Sequence, residues 1–182
     1  MINERKVKLE GEAYFEVAHD PKHPFSIQGG GVITTVLGTS FNVKAYPFQK
    51  LTTVSVITGK VRVEEESKEL AILSPSTQIQ YDRINKISKT ISIDTNLVLA
   101  WRKGRLQFQG ETFAEIADVL ENWYGIQIIF ANPQMQSCRY YMSFDNSLTI
   151  EKIFSTISEI TEMQYVFDRS KNIVTLSGKE CE

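Results

Sequence analysis

The sequence has little of what reactive chemistry needs. Two histidines, His19 and His23, and two cysteines, Cys138 and Cys181, are spread over 182 residues. His19 and His23 stand four apart, the spacing of a zinc pair on a helix, but Pro21 and Pro24 forbid a regular helix across them. No Cys/His cluster supplies further ligands, so no metal site is expected. A Ser-His-Asp triad would have to use one of these two histidines, and no Gly-x-Ser-x-Gly elbow accompanies them. No apolar run approaches the ~18 residues of a membrane span. No apolar signal core follows Met1. Charge of one sign is also missing. Twenty Lys and Arg against 22 Asp and Glu give a net charge of −2, without the basic excess of a nucleic-acid binder. The two cysteines could pair in an oxidising compartment; two free thiols is the plainer reading.

What is present is an ordinary globular composition, 42% hydrophobic and 23% charged, which argues against disorder. A chain of this length can bury roughly 70% of its unfolded surface without a staple. Periodicity then divides it near residue 95. Val7, Leu9, Ala13, Phe15 and Val17 fall on one parity and Lys8, Glu10, Glu12, Tyr14 and Glu16 on the other, the pattern of one half-buried strand. Short β-branched runs follow at 25–27, 32–37, 41–46, 51–58, 60–64, 70–73 and 78–81, separated by turn residues. Residues 1–95 therefore read as an antiparallel all-β roll or sandwich, and 96–104 as a junction. Charge hardly distinguishes the halves: 12 basic and 11 acidic residues precede residue 96, and 8 and 11 follow.

Residues 105–182 read as an α+β domain. Phe113, Ile116, Ala117, Leu120, Trp123 and Tyr124 have amphipathic helical spacing, and Thr112 with Glu115 forms a capping-box pattern. Gly125 suits the helix stop. A second helix carries Ile150, Ile153, Phe154, Ile157 and Ile160, with Thr149 as its cap and Leu148 and Ile153 as a staple. Thr112, Ile116, Gln127 and Phe130 match Thr149, Ile153, Gln164 and Phe167, each 37 residues on. The order β-α-β-β-α-β-β predicts two helices on one face of a mixed sheet of about five strands.

Other candidates read as structural. Gly29-Gly30-Gly31 lacks Gly-Lys-Ser/Thr and reads as a hairpin turn. Glu64-Glu65-Glu66 reads as a solvated turn. Trp123 and Tyr124 extend a core stripe, and Trp101 is expected to wedge at the domain junction. Trp101 with exposed Tyr14 or Tyr46 could instead stack on sugars, which keeps a non-catalytic carbohydrate-binding protein as the alternative. A hydrolase would need His19 or His23. No cofactor is implied, and no enzyme is expected.

Several blocks resemble the FecR-type anti-sigma regulators. They are Gly11-Glu12-Ala13-Tyr14-Phe15-Glu16-Val17-Ala18, Pro24-Phe25, and Val36-Leu37-Gly38-Thr39-Ser40-Phe41-Asn42-Val43. Thr58-Gly59-Lys60-Val61-Arg62-Val63 and Leu73-Ser74-Pro75-Ser76-Thr77-Gln78 continue the likeness. Ala100-Trp101-Arg102-Lys103-Gly104-Arg105-Leu106-Gln107-Phe108 and Trp123-Tyr124-Gly125 are similar to the C-terminal domain of Bacteroidetes-type members. Ser76 stands where the family has Gly, and Thr58 where it has an acidic residue.

The resemblance implies a periplasmic region of a protein anchored in the inner membrane. In that relay, a TonB-dependent outer-membrane receptor presents a periplasmic signalling domain, and a cytoplasmic segment controls an ECF-class sigma factor. That segment, the membrane helix and the first strands of the β domain are not among these residues. The β domain is therefore expected to be truncated, with unpaired edges that a neighbouring chain could complete. The last strand, Ile173-Val174-Thr175, is the expected free edge for the receptor's strand.

Overall fold

The computed structural model describes residues 5–179 and 181. Two compact units divide between Leu99 and Ala100.

The first unit contains two five-stranded sheets. One has the order β1 (Arg5–Lys8), β3 (Phe25–Gly29), β4 (Val32–Val36), β7 (Val61–Glu65), β8 (Lys68–Leu73). The other has the order β10 (Ile87–Ser92), β9 (Thr77–Asp82), β6 (Leu51–Thr58), β5 (Thr39–Ala45), β2 (Gly11–Val17). Alternation puts Val54, Val56, Val61 and Val63 fully inside, where Phe41, Ile79 and Tyr81 complete a shared core. Phe15 of β2 packs on Phe41 at 5.4 Å and meets Phe25 of the opposite sheet at 5.9 Å.

Three expectations are corrected here. The alternating run 7–17 is two strands in different sheets: the chain leaves β1 at Leu9, whose N–H donates to Gln28 O, and starts β2 at Gly11. Periodicity continues through the break because Leu9 in the connection and Phe15 and Val17 in β2 share one parity and pack on the core, whereas Val7 of β1 is 39% exposed. The unit is not purely antiparallel, since β1 runs parallel to β3. Strand β10 lies outside the β-branched runs of the sequence. Its Ile87 is exposed and its middle is Ser88-Lys89-Thr90, because an edge strand needs little apolar surface.

Turn chemistry follows the sequence more closely. Gly30 and Gly31 both have positive φ, 56° and 86°, and close the β3–β4 hairpin. A Cβ on Gly30 would come 1.9 Å from Thr52 Oγ1, which donates to Gly30 O, so the backbone approach needs glycine there. The acidic run is less solvated than expected. Glu65 accepts from Tyr81 Oη and pairs with Lys86, and these partners hold its carboxyl below the usual range. Glu66 and Ser67 make the turn with φ of 45° and 74°.

Two short helical turns span the junction, α1 (Thr95–Val98), capped by Asp94, and a 3-10 turn at Ala100–Lys103. The second unit then runs β11 (Arg105–Thr112), α2 (Phe113–Tyr124), β12 (Gln127–Phe130), β13 (Arg139–Asp145), α3 (Ile150–Thr161), β14 (Gln164–Asp168), β15 (Ile173–Ser177). The helices begin and end 37 residues apart, in step with the sequence repeat. Helix α2 has the full reciprocal cap between Thr112 and Glu115 and stops at Gly125 with φ 65°. Helix α3 is capped by Thr149 alone and stops at Glu162, also left-handed.

The five strands do not form one sheet. β11 pairs antiparallel with β13, while β12, β15 and β14 form a separate sheet in that order. β12 runs parallel to β15 and β14 antiparallel to it. The two β-α-β copies are therefore related by an approximate two-fold. Their first strands pair with each other, and β15 fills the gap between their last strands. Phe113, Ile116, Leu120, Ile153, Phe154 and Ile157 join inward residues of both sheets in one core.

Candidate docking surface

Alternation sorts the three-stranded sheet into two faces. Ile128, Phe130, Val174, Leu176, Tyr165 and Phe167 belong to the core or pack against it. The other face holds two cross-strand rows. Ile129, Thr175 and Val166 are in register, and so are Gln127, Ile173 and Asp168. Ile129 is 41% exposed and Val166 69%, while Ile173 and Thr175 are half-buried. The result is a mainly β-branched, uncharged patch bounded by Gln127, Gln164 and Asp168.

This corrects the expected edge. Ile173, Val174 and Thr175 lie in β15, which is paired on both sides, so no backbone edge is free there. Val174 is 0% exposed and serves the core. Chain order misleads here because the last strand is inserted between the two repeat copies rather than added outside them. The free edges of this sheet belong to β12 and β14. Hydropathy alone did not point to them, although the 37-residue repeat held the signal.

The remaining candidates are dispersed. Trp101 sits half-buried in the 3-10 turn that opens the second unit, where its carbonyl accepts from Gly104 N. Trp123 is 40% exposed rather than buried, because the apolar stripe of α2 outruns the core in its last turn; Ile160, its repeat counterpart on α3, is exposed likewise. Tyr14 and Tyr46 are half-buried, not exposed. Tyr46 stacks on Phe48 at 5.2 Å, and burial together with the charge of Glu12 pushes its hydroxyl up to about 12. That ring offers no open sugar platform.

His23 Nδ1 lies 2.9 Å from Asp20 Oδ2, and this pairing, with backbone N–H donors from Lys22 and His23, lowers the Asp20 carboxyl. Both side chains are exposed in a loop. Among the described residues no three His, Cys, Asp or Glu side chains gather where they could hold a metal ion. Cys138 and Cys181 form a disulfide with Cα atoms 5.5 Å apart, which corrects the free-thiol reading. It ties the chain beyond β15 to the residue before β13. No described helix is long and apolar enough to cross a membrane.

Residues 2–62 match the model of the FecR protein family, and residues 105–176 match the FecR C-terminal model. The chain belongs to the FecR family. Each compact unit carries one of the two matches, and the family is regulatory. Two crystal structures of a proposed anti-sigma factor from Parabacteroides distasonis are similar to this FecR-family chain, both with a TM-score of 0.84. The first is 30% identical, with 98% of this chain and 81% of that chain covered. The second is 31% identical, with 96% and 80% covered. No curated protein matches.

Proposed function

We propose that this chain is the periplasmic sensory region of a transmembrane anti-sigma regulator. It relays a signal from a TonB-dependent outer-membrane receptor to a cytoplasmic ECF-class sigma factor by protein–protein contact. The observation that carries this reading is the pair of FecR matches, one in each compact unit, with similarity to anti-sigma structures along nearly the entire chain. The Cys138–Cys181 disulfide supports an oxidising compartment such as the periplasm. An exposed apolar sheet face supports work by surface contact.

The chain's part is to bind and transmit; the sigma-binding segment belongs to the parent protein. The test is calorimetric titration of the purified chain with the periplasmic signalling domains of TonB-dependent receptors from the same genome. It is joined to a sigma-dependent reporter in cells lacking the parent gene. Saturable binding to one receptor domain and altered reporter output are expected. No binding to any such domain and an unchanged reporter would reject the reading.

A further inference from the structure

We propose that β14 is a self-pairing edge: two copies of the chain join β14 to β14 antiparallel about Val166, forming a six-stranded sheet with the order β12-β15-β14-β14-β15-β12. Strand β14 ends the sheet order, with β15 on its inner side only. Gln164 and Val166 are exposed, so no other described residue covers them.

The residues of β14 are complementary to themselves under a two-fold. With Val166 on the axis, Gln164 lies opposite Asp168 of the partner subunit, and Tyr165 opposite Phe167 of the partner subunit. Each contact occurs twice, as an isologous interface requires. The Gln164 amide can donate to the Asp168 carboxylate, whose several acceptor sites are only partly used by Ser170 and Lys171. Val166 meets Val166 of the partner subunit, and aromatic Tyr165 and Phe167 meet on the core side. Cross-strand pairs of these kinds stabilise a sheet, and no like charges oppose.

Four other edges, those of β1, β2, β10 and β12, fit themselves less well. Antiparallel self-pairing of β2 about Tyr14 sets Glu12 against Glu16, and that of β1 sets Arg5 against Lys8. β10 carries Lys89 near its middle, the sort of charge that guards an edge. β12 is one residue shorter than β14 and would oppose Gln127 with Phe130. Two five-residue strands bury less than the roughly 1,200 Å² of a stable interface, so the dimer is of the weak, transient class. It forms when chains are concentrated or held near one another.

The full chain is examined by sedimentation velocity up to ~1 mM, alongside Gln164→Glu and Gln164→Lys variants. The geometry predicts reversible dimerisation, weakened at least about fivefold by Q164E, which faces Asp168 with a like charge, and tightened by Q164K. A Val166→Cys variant tests the axis. Opposed residues lie about 4.5–5.5 Å apart between Cα atoms, within disulfide range. V166C should oxidise to a covalent dimer at least ~10 times faster than Ile160→Cys, which is equally exposed but off the edge. Circular dichroism confirms that each variant is folded; these side chains point outward. A chain that stays monomeric at the highest concentration overturns the proposal. So do equal effects of Q164E and Q164K, or V166C cross-linking no faster than I160C.

Discussion

Cys138 is bonded to Cys181, fastening the tail beyond β15 to the chain just ahead of β13. Cys138 is buried, and Cys181 N also donates to its Sγ at 3.2 Å. Nearby, Asn132 Nδ2 donates to Gly178 O at 3.2 Å, so two links hold the segment that follows the central strand. The bond encloses a sequence separation of 43 residues, which includes β13, α3, β14 and β15.

Opening that loop should weaken the second unit. Chain entropy puts the contribution of a loop this long at about 4 kcal/mol. Both tryptophans, Trp101 and Trp123, lie in the second unit, so their fluorescence reports on it selectively. Urea unfolding followed at the tryptophans should shift to lower denaturant with reductant or in Cys181→Ser. A midpoint unmoved by reduction would show that the bond does not hold this unit together.

Ser76 has φ of 61°, a left-handed conformation in which a Cβ is unfavourable. The turn therefore holds its geometry with a side chain where glycine would fit more easily, at an energetic cost. Ser76→Gly should stabilise the first unit by about 0.5–1 kcal/mol, the strain relieved less the added freedom of glycine when unfolded. Calorimetry should record a higher Tm. A lower Tm would mean that the Ser76 side chain contributes more than its backbone costs.

The two helix caps offer a comparison within one molecule. Thr112 Oγ1 accepts from Glu115 N at 3.2 Å while the Glu115 carboxylate accepts from Thr112 N at 2.8 Å. Thr149 Oγ1 accepts only from Lys152 N, at 3.3 Å. Thr112→Ala should cost about 1–2 kcal/mol and Thr149→Ala nearer 0.5–1 kcal/mol. Equal losses in tryptophan-monitored unfolding would show that the reciprocal bond adds nothing.

Asp118 on α2 is raised to about 6 from an ordinary 3.8, by burial first and then by Glu121 and Glu115. Because the folded-state value is the higher one, its ionisation opposes folding. The penalty grows as pH climbs from about 4 to about 6 and is complete above that. Asp118→Asn should stabilise the protein at pH 7.5 by about 1 kcal/mol, after discounting for solvent, and change little at pH 4. A stability difference that did not vary with pH would exclude this cause.

Strand β15 should show its two faces in mutation. Leu176 is 0% exposed, and Leu176→Ala should cost about 2–5 kcal/mol through lost burial and a cavity. Thr175 faces outward, and Thr175→Ala should stay within about 0.5 kcal/mol. Denaturant midpoints of the two variants measure the contrast; similar losses would contradict the assigned faces.

Local chemistry was legible in the sequence. The Thr112–Glu115 cap, the stop at Gly125, the turn at Gly30-Gly31, the alternation of Val54 and Val56 and the 37-residue repeat each depend on neighbours a few residues away or on one periodic pattern. Where strands pair was not legible. The run 7–17 reads as continuous because alternation has period two in either sheet, and it cannot reveal that the chain changes sheets at Leu9. β15 reads as a last, outer strand because order along the chain says nothing of insertion between two older neighbours. Backbone hydrogen bonds are the same for every residue type, so partner choice and edge position are decided only when the whole core is assembled. That assembly buried Val174, left Val166 in solvent, and brought Cys138 to Cys181.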